Sequence, residues 1–142
     1  MATFSGPELG FLARMRVAHL ATADGTGQPH VIPIVFAADS RALYTPIDGK
    51  PKRLAPRALK RVRNIADNPK VAVVVDHYDE DWARLGWLLV AGSASIVEAG
   101  SRYAAGRRLL EEKYPQYRLM PLEGRPLLVI VPNRVTSWGT LG

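Results

Sequence analysis

The chain has 142 residues, 47% hydrophobic and 23% charged, with a formal net charge of +6 and no cysteine. That length suits one domain around one core, spanning residues 1–142, and the missing cysteines exclude disulfides, thiol catalysis and Cys-ligated metals. No apolar run is long enough for a membrane-spanning helix, and the N-terminal basic residues follow the apolar ones, unlike a signal peptide, so the expected compartment is the cytoplasm.

Ser5-Gly6-Pro7-Glu8 reads as a capping box, with proline early in the helix where a missing N–H costs nothing. The helix is expected to end near Arg16. VAHLATAD follows as a strand and DGTGQP as a turn rich in glycine. HVIPIVFAAD is the second strand and ALYTPID the third. Pro33 cannot donate to a sheet ladder, so the second strand is expected at an edge, bulged or open to a ligand. A second helix is expected from about Arg57 to Asp67. PKVAVVVDHY and GWLLVAGSASIVEA are strands four and five. GSRYAAGRRLLEEKYP is a helix stopped by Pro115, and RPLLVIVPNRVTSWGT is a last strand bent at Pro132. Six strands with short connections and three helices predict a mainly β chain, its antiparallel sheet closed into a barrel.

Charge is concentrated in one place. Seven Lys or Arg residues lie between Lys50 and Arg63, and no Asp or Glu falls between Gly49 and Ala66. The remainder is nearly neutral, so the excess suggests a local anionic ligand rather than a nucleic acid or a membrane. On a helical wheel Arg57, Lys60, Arg61 and Asn64 share one face, while Ala58, Leu59, Val62, Ile65 and Ala66 take the other. Lys50, Lys52 and Arg53 precede them in a loop. Phosphate or carboxylate suits such a set, because Arg donates in a fork and Lys is a mobile point charge. The competing reading is a solvated helix face.

Other candidates are weaker. His19, His30 and His77 have no metal-ligand spacing; His77 could donate a proton. Asp76, Asp79, Glu80 and Asp81 lack the pattern of a calcium loop. Trp82, Trp87 and Trp138 suit a core or an interface. No glycine-rich phosphate loop exists, no metal is expected, and no catalytic residue can be assigned from spacing.

RVRNIADNPKVAVVVD resembles the K-x-R-N-[LI]-x-x-[ND]-P-x-V signature of the pyridoxamine-phosphate-oxidase-like split β-barrel flavoproteins, with Arg61 where the signature has Lys. The likeness continues through Gly27–Arg53 and Val75–Val97. DHYDEDWARLGW resembles the subgroup that uses the deazaflavin coenzyme F420 in place of FMN. The resemblance implies a six-stranded split barrel and a homodimer with cofactor at the subunit interface. It implies a hydride-transferring oxidoreductase acting on a small organic acceptor. It places the ring along Ile32, Pro33 and Ile34 and the phosphate near Thr45, Arg61 and Asn64, with Trp82, Trp87 or Trp138 bordering the ring across the dimer. Lys50, Lys52, Arg53, Arg57 and Lys60 exceed the needs of one phosphate, and the oligoglutamate tail of F420 would account for the surplus. An FMN oxidase or reductase, and a non-catalytic carrier of flavin, heme or tetrapyrrole, are the alternatives.

Overall fold

The computed structural model describes residues 2–47 and 59–142. In chain order these form α1 (Gly6–Arg14), β1 (Ala18–Ala23), β2 (Pro29–Ile34), β3 (Ala37–Ala38), β4 (Leu43–Pro46), α2 (Lys60–Asp67), β5 (Lys70–His77), β6 (Gly86–Val97), α3 (Ser101–Lys113) and β7 (Leu127–Gly139). The expected capping box is present: the Ser5 hydroxyl accepts from Glu8 N–H, and the Glu8 carboxylate accepts from Ser5 N–H at 2.7 Å.

All strands join one antiparallel sheet in the order β2-β1-β5-β6-β7-β4-β3. Its two end strands are consecutive in sequence, linked only by Val35 and Phe36. Two residues cannot cross a flat seven-stranded sheet, with strands almost 5 Å apart, so the sheet must curl until its ends meet. The fold is mainly β with three helices, an antiparallel split barrel.

The strand count differs from the expected six, because HVIPIVFAAD is broken at Val35-Phe36 into β2 and β3. Side chains hold that corner. The Thr45 hydroxyl donates to the Val35 carbonyl at 2.8 Å, and the Tyr114 hydroxyl accepts from Phe36 N–H at 3.1 Å. Pro33 sits on an edge strand, opposite His19 of β1. At the bend in β7, Ala91 pairs with Arg134 but Gly92 with Pro132, leaving Asn133 as the extra residue of a bulge. A Cβ on Gly92 would stand 2.3 Å from the Val131 carbonyl oxygen, so glycine is required there.

Alternation along the strands sorts the two faces. Ala18, Leu20, Val71, Val73, Val75, Leu88, Val90 and Ala94 point inward, and Phe11 and Leu12 of α1 and Val62 and Ile65 of α2 join the same core. A second cluster lies outside the barrel, where α3 covers β4 and the start of β7 with Tyr103 and Leu110 against Tyr44, Leu127 and Val129.

Candidate functional site

α2 is short, and its buried arc differs from the wheel. Asn64, expected on the basic face, is only 1% exposed, while Ala66, expected inside, is exposed. The rotation follows from the neighbour: α2 packs on β1, where the inward row ends in a hydroxyl. Asn64 Nδ2 donates to Thr22 Oγ1 at 3.0 Å, a bond buried on both sides. A core-facing amide is tolerated because that partner waits for it.

His30 lies opposite Thr22 on β2, and its Nδ1 is buried without a hydrogen-bond partner among the described residues. Arg61 is half-buried, with its Nε shielded from solvent. Lys60 reaches Asp24 at 3.9 Å. The Asp24 carboxylate lies below its usual pKa, chiefly because the Thr26 hydroxyl donates to it. One end of the barrel thus gathers Thr22, His30, Lys60, Arg61 and Asn64. Such a set can hold an anionic oxygen cluster by a fork, a point charge and neutral hydrogen-bonding groups. Thr22 was not legible from sequence, since nothing local marks which inward threonine will meet a helix.

The other sequence candidates fall as follows. Lys50, Lys52, Arg53 and Arg57 lie outside the described residues; the second helix, expected from about Arg57, starts at Lys60, with Leu59 as its extended N-cap. Thr45 is 2% exposed, and its hydroxyl is engaged with Val35 on the other flank of the sheet order. Ile32, Pro33 and Ile34 do not share a face. Pro33 points outward and is exposed, Ile34 sits in the core at 8% exposure, and Ile32 is partly buried beside it. Side chains of consecutive strand residues alternate, so these three do not line one surface; on the side away from β1, β2 has no strand partner among the described residues.

Trp87 and Trp138 face each other across β6 and β7, and Trp138 is 54% exposed. Trp82 occupies a 3-10 turn (Trp82–Arg84) and is 72% exposed. Trp87 also lines a hollow of about 430 Å³ on the outer face with His19, Val74, Asp76 and Leu89. His77 approaches Asp79 at 3.6 Å, and Tyr78 OH donates to Glu80. The acidic stretch therefore spends its charge locally, and no metal-binding cluster exists among the described residues.

A family model described as pyridoxamine 5'-phosphate oxidase matches residues 9–139. A 5a,11a-dehydrotetracycline/5a,11a-dehydrooxytetracycline reductase from Streptomyces rimosus is 26% identical, over 98% of this chain and 85% of that protein. Among solved structures, one described as an F420 reductase is 27% identical with a TM-score of 0.62, covering 89% of this chain and 93% of the other. A heme binding protein from Mycobacterium smegmatis superposes with a TM-score of 0.73 at 18% identity. The present chain is covered completely there but spans only 57% of that longer protein.

Proposed function

Because this chain belongs to the pyridoxamine 5'-phosphate oxidase family, we propose that it is an oxidoreductase that uses coenzyme F420, acting as a cytoplasmic homodimer with cofactor at the subunit interface. The observation that carries this reading is the polar cluster of Thr22, His30, Lys60, Arg61 and Asn64 at the barrel end, directly after a basic segment in sequence. The reductase from Streptomyces rimosus and the F420 reductase structure support it.

The residues present fit a phosphorylated deazaflavin. The buried Nδ1 of His30 calls for a hydrogen-bond partner, and Arg61 on α2 would supply its guanidinium to the phosphate. Asn64, locked to Thr22, holds α2 at a fixed depth on β1. The free backbone edge of β2 can meet the polar rim of a ring, except at Pro33, which has no N–H to give. Lys50, Lys52, Arg53 and Arg57 would take the glutamate tail. The coenzyme, when bound, supplies the hydride; the protein binds it, orients it and shields it from water. The acceptor is a small organic molecule, and the proton reaches it from solvent or from a side chain such as His77.

Parallel titrations with F420, FMN and heme test this reading. F420 is expected to bind most tightly, and more tightly as its glutamate tail lengthens. Equal or better FMN binding would transfer the site to a flavin oxidase or reductase. A second reading, a heme carrier, is favoured by one observation: His19 stands exposed in the outer hollow beside Trp87, Leu89 and Val74. A Soret band lost in His19→Ala, with no retention of F420, would establish that alternative.

A further inference from the structure

At the opposite flank of the fold, the end of α3 meets the end of α1 and the β2–β3 corner. Lys113 Nζ donates to the Leu12 carbonyl at 2.8 Å and stands 3.9 Å from the centroid of the Phe36 ring. No carboxylate lies within ion-pair distance of it among the described residues. Its neighbour is another cation: Arg16 donates to the Lys113 carbonyl at 2.8 Å, and both side chains approach the Tyr114 ring, at 5.6 and 5.3 Å. Arg16 and Lys113 line a pocket of about 340 Å³ with Ala13, Ala37, Ala38, Leu109 and Glu112. Glu112 accepts from Arg108 at 3.4 Å, β3 contributes only alanines, and the nearby Asp39 is held by Tyr44 and Arg102.

We infer that Lys113 is an acylation site for anionic acyl donors of the acyl-phosphate class, with Arg16 holding the donor's phosphate. The amine nitrogen attacks the acyl carbonyl carbon and a C–N bond forms. The bond from carbon to the phosphate oxygen breaks, phosphate leaves with the electron pair, and the displaced amine proton passes to solvent. No oxidant or reductant is needed.

Three features favour the product. A half-buried cation without a counterion becomes a neutral amide, which removes a desolvation cost. The amide keeps one N–H for the Leu12 carbonyl. The acyl chain meets Ala37, Ala38 and Leu109. Reactivity at neutral pH follows from the same surroundings. Burial, then the Arg16 charge, brings the Lys113 pKa down to about 7. About half of the amine is then free base at neutrality, against a few parts in ten thousand for an ordinary lysine.

The probe is acetyl phosphate on the intact chain, with peptide mass spectrometry following each lysine. Lys113 is expected to acetylate at least tenfold faster than exposed Lys70 at pH 7. Its rate should level off above neutrality, while that of Lys70 keeps rising. Unfolding in urea should abolish the advantage. Arg16→Gln should slow acetyl phosphate more than it slows uncharged acetic anhydride. A Lys113 rate no greater than that of Lys70, or parallel pH profiles, would overturn the site. Equal slowing of both reagents would remove Arg16 from it.

Discussion

Asn64 carries two duties at once: it closes the core under α2 and sets the depth of the helix that presents Lys60 and Arg61. Asn64→Ala strands the Thr22 hydroxyl in the core, and the expected loss is about 1–3 kcal/mol in urea unfolding. The pair Thr22→Val with Asn64→Leu removes both polar partners and should recover part of that loss. Arg61 is half-buried on the same helix, and its proposed role is different, a contact to the cofactor's phosphate. Arg61→Ala should weaken cofactor binding by roughly 1.5–3 kcal/mol, about tenfold to hundredfold, while circular dichroism stays unchanged. Wild-type affinity in a folded Arg61→Ala protein would leave the helix face merely solvated. Lys113 adds a pH signature. Its folded pKa, about 7, lies below its ordinary value because burial penalises the charge. Between roughly pH 7 and 10 the unfolded chain therefore binds more protons, and stability should rise with pH through this window. Compared with Lys113→Met, the parent should gain stability from pH 7 to 9; a flat difference would mean that the amine is not desolvated in solution.

At the scale of elements, one close approach holds the outer layer. Gly106 lets α3 settle on β4, since a Cβ there would stand 2.3 Å from Tyr44 Cδ1. Tyr44 cannot yield easily: it is fully buried and its hydroxyl donates to Asp39 at 2.6 Å while accepting from Arg102 at 3.0 Å. Gly106→Ala thus sets two effects against each other. Alanine gains about 1 kcal/mol of helix propensity, whereas forced overpacking costs about 1–3 kcal/mol. The expected outcome is a net loss of stability by thermal unfolding. A gain would show that α3 can lift from the sheet at little cost.

At the scale of the molecule, the curled sheet is covered unevenly. α3 shields β4 and the start of β7, but the outer face of β2, β1, β5 and β6 carries no helix among the described residues. Val17, Val31, Leu89 and Trp138 stand 47%, 64%, 38% and 54% exposed. With Pro33 and Ala21 between them, they make an apolar surface of the kind that marks an interface. A two-fold dimer would bury it. Light scattering at micromolar concentration should return about twice the 15.6 kDa chain mass. Val31→Lys with Leu89→Lys should shift that value toward the monomer and lower F420 affinity together. A monomeric parent would take the interface out of the proposed site.

The sequence by itself determined the elements whose signals are local. The capping box at Ser5, the turn at Gly25–Gly27, the edge position of Pro33 and the disturbance at Pro132 all depend on a few neighbouring residues. The family signature around Arg61–Val71 likewise needed no coordinates. Only the tertiary structure decided the rest. The break at Val35-Phe36 arises because the sheet must close, a requirement no strand contains within itself. Asn64 faces inward because Thr22, 42 residues away, supplies a hydroxyl at the helix's landing place. Lys113 reads as one more basic residue in a charged helix until α1 and Phe36 are packed over it. Local chemistry sets what a segment prefers; burial, and with it the energy of every polar group, is set by which distant segment arrives to cover it.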